Sequence, residues 1–141
     1  MTRKLRNMAS KIFLDTDVII DFLIDRQPHA ISASRIFDLA DRRQLTICTS
    51  VVRINNVHYI VRKVLGEKKS REVIDELLEI LEVLSVSNED VKNAIKSKFK
   101  DFEDAVQYSV ALKEKSIHAI ITRNVKDYNL RIFRFSIVMT L

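Results

Sequence analysis

Three groups of acidic residues in this chain are placed where chemistry can be done. They are Asp15, the run Asp101-Phe102-Glu103-Asp104-Ala105, and Asp127 within Thr122-Arg123-Asn124-Val125-Lys126-Asp127-Tyr128. Carboxylates unaccompanied by His or Cys suit hard divalent cations, Mg²⁺ or Mn²⁺. Such ions bind phosphates, activate water and stabilise the charge that develops in phosphodiester cleavage. Two carboxylates about 5 Å apart repel by about 3 kcal/mol at an effective dielectric near 20, whereas a helix cap returns about 0.5–2 kcal/mol. If Asp15, Asp104 and Asp127 converge, capping does not explain them and a cation is the natural compensation. If they lie apart, each is an ordinary helix cap or first-turn residue favoured by the helix dipole. Spacing alone leaves both outcomes open.

Basic residues close to these groups in sequence are Arg26, Arg53, Arg123 and Lys126. Any one of them can be a solvated surface charge. Arg123 and Lys126 have the best claim to phosphate, because they flank the third acidic group and phosphate contacts need cations. His29 and His58 are too isolated for a metal or triad argument, and His58, inside an apolar helical stretch, reads as a packed or hydrogen-bonded residue. No Ser or Cys nucleophile constellation is present.

Convergence requires elements that bring distant residues to one edge. Ile12-Phe13-Leu14 is a continuous apolar run, as in a strand buried on both faces, and Val18, Ile19, Phe22 and Leu23 follow at helical spacing. The chain therefore turns from strand to helix at Asp15–Asp17, the carboxyl end of a strand, where ligands bind in open α/β sheets. Helical geometry places Asp17, Asp21 and Asp25 on one face, a repulsion of about 0.2–0.5 kcal/mol per pair unless a cation or basic partner offsets it. Further on, the pattern predicts helices over 29–41, 51–65, 68–82, 88–98 and 102–115. Strands are predicted over 45–48, 83–86, 119–122 and 133–139. Pro28 can open the second helix, residues 41–44 form a turn, and Gly66 ends the third helix in a left-handed cap. Ser87 with Asp90 gives a capping box, and Asp101 caps the sixth helix. Strands alternating with helices argue for a parallel sheet flanked by helices. In such a sheet Asp15 and the Asp127 loop share an edge.

The composition sets outer bounds. One glycine and one proline in 141 residues exclude every glycine-rich phosphate loop. A net charge of +5 mildly favours an anionic partner such as nucleic acid. The single cysteine, Cys48, lies in an apolar run and is expected to pack in the core. No apolar run approaches the ~20 residues that cross a bilayer, and no signal-peptide core follows the basic start, so a cytoplasmic protein without membrane contact is expected. Residues 1–10 read as a basic extension and 11–141 as a single domain.

Taken in order, these pieces resemble the PIN-domain family, specifically its single-domain VapC-type toxins. The matching stretches are Phe13-Leu-Asp15-Thr16-Asp17-Val-Ile-Ile-Asp21, Arg26-Gln-Pro28-His29 and Ile36-Phe37-Asp38-Leu39-Ala40. They continue through Thr49-Ser50 with Asn55-Asn56-Val57-His58-Tyr59-Ile60, then Asp101–Gln107 and Ile121–Tyr128. The resemblance spans about residues 11 to 139. It implies a three-layer α/β/α Rossmann-like fold around a mainly parallel sheet of four to five strands. It also implies Mg²⁺- or Mn²⁺-dependent endoribonuclease activity and pairing with a small antitoxin, usually as a homodimer. Asp15 and Asp104 match the family's metal-binding carboxylates, one or both orienting the attacking water, and Asp127 matches a secondary acidic position. Thr16 and Asp17 match supporting positions, and Asp101 can help from its cap. Two positions depart from the pattern: Asn56 and Asn124 stand where most members carry Glu and Asp. An amide oxygen can still ligate Mg²⁺ but adds no negative charge. The alternative is therefore a degenerate domain that binds RNA or a protein without cutting.

Overall fold

The computed structural model describes residues 10–123 and 136–139. Five strands form one sheet: β1 (Lys11–Leu14), β2 (Thr46–Ser50), β3 (Leu81–Leu84), β4 (Ile117–Thr122) and β5 (Ser136–Met139). Their order across the sheet is β3-β2-β1-β4-β5, and every neighbouring pair is parallel. Among the described residues six helices accompany them: α1 (Thr16–Leu23), α2 (Ala30–Asp41), α3 (Val51–Leu65), α4 (Glu67–Leu77), α5 (Asn88–Lys96) and α6 (Phe102–Lys113).

The layers follow from the period-two geometry of a strand, whose successive side chains point to opposite faces. Ile12 and Leu14 of β1 pack with Ile47, Ala119 and Ile121 against Val18, Ile19, Phe37, Val57, Val61, Ile74 and Leu77. Between them Phe13 points the other way, with Cys48 and Ile120, against Ala94, Ala105, Val106, Val110 and Ala111. Helices α1 to α4 thus cover one face, and α5 and α6 the other, giving the expected three layers. Cys48 is buried as expected; burial pushes its thiol up to about 12, and its Sγ lies 3.3 Å from the Ile12 carbonyl oxygen.

Several boundaries differ from expectation, each for a physical reason. Helix α1 stops at Leu23, and Asp25 adopts φ 52°, so Asp25 leaves the face of Asp17 and Asp21. Pro28 sits in the turn before α2 rather than at its first position, with His29 as the N-cap. Helix α4 ends at Leu77 instead of near 82, because Leu81 to Leu84 are drawn into pairing with Ile47 to Ser50. Gly66 has the expected positive φ, but φ 82° with ψ 166° is extended rather than left-handed helical, so the chain passes straight from α3 into α4. Ser87 and Asp90 form a complete capping box on α5. Among the described residues no helix is long and apolar enough to cross a membrane.

Candidate active site

Strand β1 ends at Leu14, and Asp15 follows as the N-cap of α1, its Oδ1 accepting from the Thr16 amide at 2.8 Å. Its other oxygen, Oδ2, accepts from the Thr122 hydroxyl at the end of β4 at 2.8 Å, and its backbone amide donates to Ile121 O at 3.0 Å. Asp15 is thereby pinned between the carboxyl ends of two neighbouring strands. Asp104 comes from the opposite layer, in the first turn of α6, where Asp101 caps the helix by accepting from the Asp104 amide at 2.9 Å.

These two carboxylates meet at one point. Nη2 of Arg53 lies 3.2 Å from Asp15 Oδ1 and 2.9 Å from Asp104 Oδ1. Nη1 of the same guanidinium is 2.7 Å from Glu103 Oε1, which also accepts from the Asn56 side-chain amide. Arg53 is only 5% exposed, so the sequence-based view of it as a solvated surface charge is corrected. Its position is fixed from β2: Ser50 ends the strand, caps α3 by accepting from the Arg53 amide at 3.1 Å, and donates its own hydroxyl to Gln107 of α6. Next to it, Thr49 Oγ1 donates to Leu14 O at 2.8 Å. One guanidinium from one layer thus joins acidic residues of both.

Burial raises the Asp104 carboxyl to about 6; Arg53 opposes this, and the nearby charges of Asp101 and Asp15 add to it. Three carboxylates, those of Asp15, Glu103 and Asp104, surround the single Arg53 guanidinium. The donors of this centre are all oxygens, the set that suits Mg²⁺ or Mn²⁺, and Mg²⁺ commonly uses one or two carboxylates, completing its shell with water and phosphate oxygens. Thr16 Oγ1, beside Asp15 in sequence, is buried without a hydrogen-bond partner. The residues present fit such an ion. No three His, Cys, Asp or Glu side chains among the described residues form a metal-holding group by themselves.

A second ionic network flanks this centre. Asp21 is fully buried, with Arg26 Nε 2.8 Å from Oδ1 and Arg123 Nε 3.1 Å from Oδ2, the latter close in charge but misaligned as a hydrogen bond. Asp17 Oδ1 lies 3.2 Å from Arg26 Nη2 and 3.6 Å from Arg123 Nη2. The repulsion expected between Asp17 and Asp21 is offset by two arginines. Arg123, expected to meet nucleic acid, has its charge engaged by this network. Asn124, Lys126 and Asp127 lie outside the described residues, as does the basic stretch 1–9. His58 is hydrogen-bonded, its Nε2 3.0 Å from Glu67 Oε2.

Sequence reasoning had Asp15 and Asp104 but missed the parts of Thr122, Gln107 and Glu103. Thr122 and Gln107 are legible only as polar residues inside apolar stretches, at a strand end and on a helix.

The chain matches a family model described as PIN domain over residues 11–126. It is 34% identical over 114 residues to Ribonuclease VapC1 of Aquifex aeolicus (strain VF5), covering 75% of this chain and 76% of that protein. Among solved structures it resembles VapBC2 from Rickettsia felis bound to a promoter DNA fragment, with TM-score 0.68 at 19% identity, covering 92% and 98% of the two chains. It also resembles Mycobacterium tuberculosis VapC20, described as a Sarcin-Ricin loop cleaving toxin, with TM-score 0.60 at 16% identity, covering 77% and 86%. The family match over residues 11–126 and the 34% identity agree: this chain belongs to the PIN-domain family, in its VapC-type branch.

Proposed function

We propose that this chain is a metal-dependent endoribonuclease, the toxin of a toxin–antitoxin pair. The observation that carries the proposal is the convergence of Asp15 and Asp104, from opposite layers, on one point at the carboxyl edge of a parallel sheet. Asp15, Asp104 and, from the sequence that follows β4, Asp127 hold Mg²⁺ or Mn²⁺. When bound, such an ion polarises the phosphodiester and makes water a better nucleophile. One or both of Asp15 and Asp104 orient the attacking water, while Thr16, Thr122 and the Asp101 cap keep the two carboxylates in place. Asp17 supports the site through Arg26 and Arg123, and Asn56 does so through Glu103. Lys126 and, to the extent that Asp17 and Asp21 leave it free to do so, Arg123 bind phosphate, and Asn124, between them in sequence, supports the site. A structural neighbour solved as a toxin-antitoxin complex from Klebsiella pneumoniae supports a small antitoxin partner here, and the family resemblance supports a cytoplasmic homodimer.

The test is RNA cleavage by the purified chain with Mg²⁺, compared with Asp15→Ala and Asp104→Ala and repeated with a chelator. Cleavage by the natural chain alone, abolished by chelation, is expected. Equal cleavage by all three proteins would sink the proposal. A second reading, a non-catalytic RNA- or protein-binding module, is favoured by one observation: Asn56 offers an amide, already engaged by Glu103, where a further carboxylate would serve a metal. On that reading RNA is bound but never cut.

A further inference from the structure

The point on which Asp15 and Asp104 converge is filled by a side chain of the protein itself. Nη2 of Arg53, at 3.2 Å and 2.9 Å from the two Oδ1 atoms, lies where a shared cation must lie, and the guanidinium is almost wholly buried. A divalent ion needs carboxylate oxygens at about 2.1 Å, and a guanidinium touching the same two atoms leaves no room for it. The two cations also repel across a few ångströms of weakly screening protein. Glu103 gives Arg53 a partner outside the pair: its carboxylate is 2.7 Å from Nη1 and roughly half exposed.

We infer that Arg53 is a resident counter-ion of the metal site, so that metal enters by exchange, displacing the guanidinium from Asp15 and Asp104 while Glu103 retains it. This deepens the proposed metal site and rests on it. The exchange keeps the carboxylates paired when no metal is bound and weakens metal binding by the work of displacing Arg53.

Manganese binding to the full chain, followed by electron paramagnetic resonance of free Mn²⁺, tests this without reference to catalysis. Arg53→Gln keeps a hydrogen-bonding side chain but removes the charge, and should bind Mn²⁺ at least about tenfold more tightly, the scale set by losing one partner of a buried charge pair. Arg53→Lys should stay near the natural chain. Glu103→Gln should weaken binding in the natural chain but not in the Arg53→Gln background. Unchanged or weaker binding in Arg53→Gln, or equal weakening by Glu103→Gln in both backgrounds, would overturn the inference. Should Arg53→Gln fail to fold, the natural chain still decides. The Arg53 Nε–H resonance, assigned by its loss in Arg53→Lys, should shift and exchange faster with water as Mg²⁺ is added. A resonance unmoved while metal binds would overturn the exchange. If exchange is seen but RNA is not cut, this inference stands and the proposed function fails.

Discussion

At the scale of single residues, the most telling group is Asp104. Burial raises its carboxyl to about 6, with Arg53 opposing and Asp101 and Asp15 adding to the rise. In the unfolded chain it titrates near 3.8. Below pH 4 it is neutral in both states. Between pH 4 and 6 the unfolded chain releases the proton while the folded chain keeps it, so stability falls as pH rises, by about 1–2 kcal/mol once solvent screening of the half-buried carboxyl is allowed for, and is flat above that window. Urea unfolding of metal-free protein from pH 3.5 to 7 should show this fall, and Asp104→Asn should lack it; a difference between the two proteins that does not vary with pH would refute it. Asp21 contributes through its ion pairs. It is fully buried between Arg26 and Arg123, and Asp21→Asn removes one of the two negative partners of each. Breaking a buried pair typically destabilises by about 3–5 kcal/mol, but both arginines are partly exposed and keep Asp17, so about 2 kcal/mol is expected. A lower urea midpoint with an unchanged slope would report it. No sequence pattern predicted this network, because Asp21, Arg26 and Arg123 meet only after α1 and β4 are docked.

At the scale of elements, local signals were strong where they were chemical and weak where pairing decides. Ser87 and Asp101 were readable as caps, and each side chain accepts the expected amide. The ends of α1 and α4 were not, because docking of Leu81 into β3 and the turn at Asp25 override the continuing apolar period. Gly66 shows the distinction in one residue. A Cβ there meets nothing within 4 Å, so any penalty in Gly66→Ala is backbone strain alone. Its φ 82° and ψ 166° fall in a region that is essentially glycine-only, so about 1–3 kcal/mol is expected. Ser87→Ala, which removes one half of the α5 capping box, should cost about 1 kcal/mol. Thermal unfolding of the two variants should rank Gly66→Ala at or below Ser87→Ala; the reverse order would mean that the α3–α4 junction relaxes to another backbone conformation.

At the scale of the whole molecule, the sequence could be read as a parallel α/β sheet because its apolar runs are continuous and alternate with helices, whereas the site is assembled by contacts between layers that no local pattern encodes. Arg53 from α3 and Asp104 from α6 meet across the sheet edge, and Ser50 reaches Gln107 the same way. The same assembly bears on how RNA is held. The net charge of +5 suggests a broadly basic surface, yet Arg26, Arg53 and Arg123, the arginines at the site, are each engaged by carboxylates. The exposed cations nearest the start of α6 in sequence are Lys98 and Lys100, and Lys126 follows β4. Two or three phosphate contacts are therefore expected, and for single-stranded nucleic acid the logarithm of affinity falls by about 0.7 per contact for each decade of salt. Fluorescence anisotropy of a labelled single-stranded RNA with Asp15→Asn, which should bind without cutting, should give a slope of roughly −1.4 to −2 in KCl. A slope steeper than about −3.5 would mean that the whole basic surface engages the RNA. In that case the arginines at the site would have to leave their carboxylates when RNA binds, and the edge of the sheet would be remodelled by its substrate.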